Sequence, residues 1–339
     1  MFDEERGEAQ TKLGVLVTGA NGFVGSAIAR LCQQQGMNVS MTGRTNVNAE
    51  NLPDYFTADV TVPDSLASAM KDVDAVVHAA GLAHQFDKGR ADASRFMSIN
   101  ASGTELVAHT AREAGVRHFV LISSVSVYGA HEEAVCDEES PCHPQDAYAQ
   151  SKYEAERRAI KIFQETNACL TILRLATVYG EGDRGNILRL IRTIDRGRFI
   201  WIGRGENRKS LIHCEDAARA CAAVLLSPCE GIRVYNVSAP AQKMREIVAG
   251  IAAALGQRAP GLHLPPRAAL AAASWLKSIS LGHAKFSGIK ATIEKWLTDD
   301  VYDARKFEER FDFKAQVSLK EGIEREVAWY RQSQYRMKQ

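Results

Sequence analysis

Residues 13–30 read LGVLVTGANGFVGSAIAR, and no other stretch limits the fold so sharply. Positions 13–17 form a short apolar, β-branched run, the pattern of a buried strand. Gly19, Gly22 and Gly25 follow at the spacing G-x-x-G-x-x-G. Residues 26–31 then place Ala27, Ile28 and Leu31 on the face of a starting helix. A strand, a glycine turn and a helix start make an anion cradle. The glycines let the backbone turn tightly and approach a pyrophosphate, and the helix N-terminus favours negative charge. The competing reading is an ordinary glycine-rich turn. The strand before and the helix after supply the context that a dinucleotide-binding turn requires. Gly19, Asn21, Gly22, Phe23, Val24 and Gly25 are therefore the first cofactor-binding candidates. The spacing is one residue wider than G-x-G-x-x-G.

Further strands are expected at 38–42, 55–58, 75–79, 119–123 and 170–175. Helices are expected from Pro63 onward, at 96–114 with Gly115 as its stop, and at 148–164. Strands alternating with helices imply parallel pairing in a doubly wound sheet. From Gly180 the alternation weakens. Helices are expected at 186–196, 215–226, 244–255 and 319–330, and shorter strands at 199–202 and 234–237. We read residues 13–180 as a dinucleotide-binding domain. Residues 181–339 are mainly a smaller lobe closing over a substrate, with part of 210–240 returning to the sheet.

Composition excludes several function classes. The chain has 339 residues, 45% hydrophobic and 24% charged, with a formal net charge of +1. Bulk charge is thus no basis for binding nucleic acid. Seven cysteines lie at 32, 136, 142, 169, 214, 221 and 229. Their number is odd and no C-x-x-C pair occurs, so neither a disulfide framework nor a metal site is expected, and a reducing cytoplasm fits best. Residues 1–12 are polar and charged and read as a flexible tail without the apolar run of a signal peptide. The longest apolar stretch, 268–276, is too short to span a bilayer and reads as a buried helix face.

The chemistry-bearing spacing is Tyr148-Ala149-Gln150-Ser151-Lys152. A tyrosine and a lysine four apart share one helix face. A phenol is a poor base at neutral pH, with a pKa of about 10. A nearby ammonium and an oxidised nicotinamide both favour the phenolate, so Tyr148 can exchange a proton with an alcohol or sugar oxygen. Such a pair alone is usually a helical surface pair; its position after a serine-rich strand end changes the balance. That strand end runs from Ser123 to Gly129, and Ser124 is placed at the C-terminal edge, where open α/β sheets bind ligands. Its hydroxyl can donate to a carbonyl oxygen.

With these residues in hand, the chain resembles an extended short-chain dehydrogenase/reductase of the nucleotide-sugar epimerase/dehydratase family. The resemblance rests on TGANGFVG at 18–25, Asp59-Val60, HAAG at 78–81, Asn100, SSVSVYG at 123–129, YAQSK at 148–152, RLATVYGEGD at 174–183, ENRKSLIHCEDAARA at 206–220 and the C-terminal VYDARKFEERFDFKAQVSLKEGIEREVAWYR. It covers nearly the whole chain beyond the tail. It implies a Rossmann α/β fold, a doubly wound parallel sheet with a smaller C-terminal substrate-binding lobe, and hydride chemistry on a nucleotide-linked sugar. Ser124, Tyr148 and Lys152 are then the catalytic set. Cofactor contacts are implied at Arg44, Asp59, Val60, Ala79, Ala80, Gly81, Asn100 and Leu175, besides the glycine turn, Tyr148 and Lys152. Substrate contacts are implied at Ser124, Ser126, Thr177, Asn186 and Arg208. Arg208 matches the family arginine that grips a diphosphate, for which paired guanidinium donors suit phosphate oxygens. His84, in the loop after the fourth strand, is a candidate to face the sugar. His213 reads as structural. Most of the arginines between 184 and 208 read as a solvated basic face.

Two departures matter. Family dehydratases carry an Asp-Glu pair just after the catalytic hydroxyl; here those positions are Val125 and Ser126, so dehydration is disfavoured. The usual asparagine after the sixth strand is Thr177. NAD-binding members carry an acid at the end of the second strand, which bonds the ribose and repels a 2′-phosphate. Gly43 stands there instead, followed by Arg44. NADP is therefore expected over NAD, and a net 4-ketoreductase over a UDP-glucose 4-epimerase-like isomerase that keeps NAD bound. A reductase of non-nucleotide ketones and a non-catalytic dinucleotide-binding protein are the remaining alternatives. Arg208 argues against the first, and the intact catalytic set against the second. A homodimer is expected by family analogy, and no integral membrane segment.

Overall fold

The computed structural model describes residues 12–45, 54–83, 90–130, 135–268 and 297–336. Seven parallel strands form the central sheet: β1 (Gly14–Thr18), β2 (Asn38–Gly43), β3 (Tyr55–Thr57), β4 (Ala75–His78), β5 (His118–Ser124), β6 (Cys169–Leu175) and β11 (Ile232–Val237). Their order is β11-β6-β5-β4-β1-β2-β3. The chain winds outward from β1 to β3, returns to β4 on the other side of β1, and winds outward again. The crevice between the ends of β1 and β4 is the switch point at which such sheets bind ligands.

Burial explains the winding. Residues 14–18 are buried throughout, as are 75–78 and 169–175, so these strands need cover on both faces. Helices α1 (Phe23–Gln34) and α6 (Cys214–Leu225) pack together on one face, and α3 (Gly103–Glu113) and α4 (Ala147–Phe163) on the other. Ile28, Cys32, Ala218 and Cys221 fill the first layer; Leu16, Val107, Phe119 and Phe163 fill the second. Each large side chain buried in this way contributes about 1.5–3 kcal/mol.

A third core belongs to the C-terminal part. Helices α5 (Asn186–Asp195), α7 (Met244–Ala254) and α9 (Leu319–Arg336) meet there through Ile191, Ile247, Val248, Ile251, Ile323 and Val327. Asp216, fully buried on α6, accepts the backbone N–H groups of Gln316 and Val317 at 2.8 and 3.0 Å, fastening the approach to α9. Short strands complete this half: β7 (Thr177–Tyr179) beside β10 (Leu211–His213), β9 (Arg208–Lys209) beside β12 (Gln242–Lys243), and β8 (Trp201–Ile202) beside β13 (His263–Leu264). Helix α8 (Arg305–Phe311) packs against β11 through Phe307 and Phe311 on Tyr235.

Three sequence expectations change. The helix expected at 96–114 starts at Arg90 as α2 (Arg90–Phe96) and passes through a π-helical segment, Met97–Ser102, before α3. The helix expected after Pro63 is two short 3₁₀ turns, Pro63–Ser65 and Ala67–Met70. The cysteines read as scattered include one close pair: Cys169 and Cys229, sixty residues apart, have Cα atoms 5.9 Å apart, within the reach of a disulfide. The pair brings the start of β6 beside the loop before β11, a juxtaposition that no local spacing announces. No helix among the described residues is long and apolar enough to cross a membrane. The tail, apart from Lys12, and the apolar stretch beyond residue 268 lie outside the described residues.

Candidate active site

The turn after β1 sets one wall. Gly19 has a positive φ of 69°, and a Cβ there would stand 2.6 Å from the Ala80 Cα, where the chain leaves β4. A Cβ on Gly25 would run into the Gly19 carbonyl oxygen. Only glycine allows α1 to start this close to the strand ends. Gly22 is the N-cap of α1 and offers no side-chain cap, so the helix end is left for an anion. Phe23 and Val24 are half-buried in the first turn, and Asn21 is exposed. This cradle fits the pyrophosphate of a dinucleotide.

The β4 side is held by a buried polar chain. The Thr18 hydroxyl lies 2.7 Å from His78 Nδ1, and His78 Nε2 lies 3.0 Å from the Thr104 hydroxyl. Thr104 donates onward to the Asn100 carbonyl at 2.5 Å. Thr104 thus spends its proton on Asn100, which makes His78 Nε2 the donor to it and Nδ1 the acceptor from Thr18. Burial pushes the His78 pKa down to about 3, with Lys152 adding to the effect, so the ring stays neutral. Asn100 sits in the π-helical segment and is 1% exposed. Its amide bonds the Leu82 N–H and carbonyl at 2.6 and 3.0 Å and the Ser151 hydroxyl at 2.9 Å. A π-segment often marks a functional position in a helix; here it aims Asn100 at the chain after Gly81 and at α4 together.

Tyr148, Ser151 and Lys152 come from the start of α4, which Asp146 caps by accepting the Ala149 N–H at 2.8 Å. Ser124, at the end of β5, lies near the Tyr148 phenol and acts to lower its pKa, and its hydroxyl accepts the Ser126 N–H at 3.2 Å. Phe96 packs edge-on against the Tyr148 ring at 6.0 Å. Lys152 is 7% exposed, and its ammonium donates to the Ile122 carbonyl at 2.5 Å. A Cβ on Gly81 would press to 3.2 Å from Asn100 Oδ1 and lie 3.9 Å from Lys152 Nζ, which places Gly81 between these two side chains. Burial pushes the Lys152 pKa down to about 8 against the pull of Glu156. Burial raises the Tyr148 pKa, and Asp146 adds to the rise. The group opposing that rise is Ser124.

The other positions are spread around this centre. Asp59 accepts the Thr61 N–H and hydroxyl at 2.9 and 2.7 Å, which holds its carboxyl below the ordinary range, and Arg44 contributes. Arg44 is exposed; Val60 is buried against Gly103. Ala79 donates its N–H to the Thr18 carbonyl at 3.2 Å and Ala80 to the Thr18 hydroxyl at 3.3 Å. Leu175 is buried opposite Ser124 in the sheet register. Ser126 is half-buried, and its hydroxyl has no partner among the described residues. Thr177 is half-buried at the start of β7, and Asn186 is exposed at the start of α5, which the buried Asp183 caps through the Gly185 and Leu188 N–H groups. Arg208 is engaged by Asp299 through Nε at 2.9 Å and Nη2 at 2.8 Å. His213 caps α6 by accepting the Glu215 N–H at 3.3 Å, a structural task. His84 lies outside the described residues.

Sequence reasoning missed Ser151, Phe96 and Tyr55. Tyr55, on β3, accepts from Asn21 Nδ2 at 2.6 Å and donates to the Thr45 carbonyl at 2.9 Å. A Cβ on Gly43 would collide with its hydroxyl and stand 2.7 Å from Asn21 Nδ2. At the end of β2 these two side-chain tips occupy the place of a Gly43 side chain.

Residues 15–238 match the model of the NAD dependent epimerase/dehydratase family, a span of well over half the chain. The chain belongs to that family. One member, N-acetyl-α-D-glucosaminyl-diphospho-ditrans,octacis-undecaprenol 4-epimerase of Escherichia coli O157:H7, is 28% identical over 93% of this chain and 94% of its own. UDP-glucose 4-epimerase of Vibrio cholerae is 27% identical over 68% and 72%. Among solved structures, MoeE5 in complex with UDP-glucose and NAD superposes with a TM-score of 0.75 at 26% identity, covering 95% of this chain and 99% of that one. The epimerase/dehydratase fold thus extends through the C-terminal half, beyond the span of the family match.

Proposed function

We propose that this protein transfers a hydride at C4 of a sugar carried on a nucleotide diphosphate, with UDP as the preferred nucleotide, and that its net reaction is reduction of a 4-keto sugar. The observation that carries this reading is the buried Lys152, one turn from Tyr148 on α4 and donating to the Ile122 carbonyl at 2.5 Å, two residues before Ser124 on the same strand. A bound reduced nicotinamide supplies the hydride to C4. Ser124 donates a hydrogen bond to the C4 oxygen, and Tyr148, whose raised pKa keeps it protonated, gives that oxygen a proton. Lys152 holds the cofactor ribose and its positive charge replaces part of the missing solvation. Val125 is buried and Ser126 carries no acid, so the residues needed to remove water from the sugar are absent from the positions beside Ser124. Arg208, oriented by Asp299, is assigned to the diphosphate, with Asn186 beside the same ligand and Ser126 and Thr177 toward the sugar.

NADP is proposed as the cofactor. The crowded, acid-free end of β2 offers no negative charge against a 2′-phosphate, and Arg44 stands next to it. A cytoplasmic location and a homodimer through α3 and α4 belong to the same proposal. A second reading is favoured by the Escherichia coli relative, whose alignment spans nearly both chains: C4 epimerisation of a diphosphate-linked sugar with the cofactor regenerated in place.

The deciding experiment supplies purified protein with NADPH and a UDP-4-keto sugar and follows cofactor absorbance and C4 configuration. Stoichiometric oxidation of NADPH is expected. Tyr148→Phe should bind cofactor normally and turn over about a hundredfold more slowly or less. Interconversion of two C4 epimers without net cofactor consumption would select the second reading, and near-normal turnover in Tyr148→Phe would remove the assignment of Tyr148.

A further inference from the structure

Behind the Ser124–Tyr148–Lys152 set lies a second group of polar residues that the chemistry above does not use. Glu156 is one turn beyond Lys152 on α4 and is 1% exposed. Its carboxylate accepts the Ser123 hydroxyl at 2.5 Å and the Arg174 guanidinium at 2.7, 3.1 and 3.2 Å. Arg174 itself, on β6, is 7% exposed and donates to the Tyr128 hydroxyl at 3.0 Å. Tyr128 passes the contact on to Asn236 of β11 at 2.7 Å.

Two consecutive residues of β5 are therefore gripped by two side chains one turn apart on α4. Ile122 receives Lys152 through its carbonyl, and Ser123 gives its hydroxyl to Glu156. Ser124, the next residue, lies near Tyr148. The register between α4 and the end of β5 is fixed at two successive points. A buried carboxylate next to a buried ammonium also favours its charged form.

We propose that Glu156 is a positioning residue that keeps Lys152 charged and holds the end of β5 in register with α4, and that Arg174 serves to keep Glu156 ionised and fixed. The proposal rests on the assignment of Lys152 to the cofactor. The groups facing Lys152 are few. From α4 they are Tyr148 and Glu156. From β4 comes His78, held neutral by burial. From β5 come the Ile122 carbonyl and the neutral hydroxyls of Ser123 and Ser124. Asn100 is also neutral. Arg174 stands beyond Glu156, and Cys142, half-buried beside Arg174, has its thiol pushed up by burial and is uncharged. Among the described residues, Glu156 is thus the negative charge acting on the lysine.

The test reads cofactor binding, by the fluorescence of bound NADPH or NADH, across a pH range that brackets the Lys152 pKa of about 8. Wild-type affinity should fall on the alkaline side as the ammonium loses its proton. Glu156→Gln should move that fall to lower pH by about one unit or more, since a close opposite charge has been removed. Because that variant leaves a buried guanidinium unpaired, Glu156→Gln combined with Arg174→Gln is measured too. Its melting temperature should recover relative to the single variant while the alkaline fall stays below the wild-type position. Glu156→Asp should restore most of the wild-type profile. An alkaline fall that returns to its wild-type position in the double variant would overturn the proposal, leaving Glu156 as half of a structural ion pair. Lys152→Met separates the two assignments. Loss of the alkaline fall in that variant supports the underlying role of Lys152. Its survival there would overturn both that role and the proposal.

Discussion

At the scale of single residues, the proposed cofactor preference turns on the end of β2. Gly43 stands where NAD enzymes carry the acid that bonds a ribose 2′-hydroxyl, and the tips of Tyr55 and Asn21 fill the place where its Cβ would be. We expect NADPH to bind more tightly than NADH. Arg44→Ala should weaken NADPH by up to about 3 kcal/mol and leave NADH nearly unchanged; tighter binding of NADH by wild type would reject the preference. Arg208 makes a second residue-level case. Its guanidinium is already aligned by Asp299, so a phosphate would meet a pre-oriented donor. Arg208→Ala should raise the KM for a UDP-sugar by the loss of about 1.5–3 kcal/mol and leave cofactor affinity alone, and an unchanged affinity for UDP would remove it from the site. Gly43, Arg44 and Arg208 were legible because each lies at a fixed offset from a motif. Tyr55 and Asp299 were not, since β3 and the approach to α8 reach those places only through the tertiary fold.

Among the elements, α9 carries the least expected feature. Glu326 is fully buried there. One oxygen accepts the Gly180 N–H at 3.0 Å and the other has no partner among the described residues. Burial, reinforced by the nearby charges of Asp183 and Glu181, raises its pKa from 4.5 to about 9. The folded protein therefore holds a proton that the unfolded chain releases above its ordinary carboxylate pKa. Stability contributed by this group is complete below about pH 4.5 and falls as pH rises toward about 9. Glu326→Gln keeps a carbonyl for Gly180 and cannot ionise. Between those limits its melting temperature should exceed that of wild type by a margin that widens with pH; melts that stay parallel would show that Glu326 is not the proton carrier. The strand–turn–helix of the glycine turn and the amphipathic α5 and α7 could be read from periodicity. The π-segment could not, because one extra residue per turn leaves no trace in a pattern of apolar spacing.

For the molecule as a whole, the family and the doubly wound sheet were legible from the glycine turn and the alternation of elements, since both are written locally. The closing of the sheet was legible only as a return of some part of 210–240; β11 is the strand that pairs with β6 there, over six residues. Its Asn236 bonds Tyr128 at 2.7 Å and the Asp303 carbonyl at 3.2 Å, and Cys229 just before it stands beside Cys169. The polypeptide crosses back into a sheet that it had left some sixty residues earlier. The boundary at residue 180 is therefore a poor place to cut. A fragment ending there would present β6 as a raw edge whose backbone N–H and carbonyl groups seek another strand. Expressed alone, it should aggregate or dimerise edge to edge, measurable by light scattering, whereas a fragment extended through β11 and α8 should stay dispersed to higher concentration. Modular exchange of the substrate half between relatives then has to respect a strand that cannot travel with it, so swaps confined to the segments on either side of β11 are the ones this architecture permits.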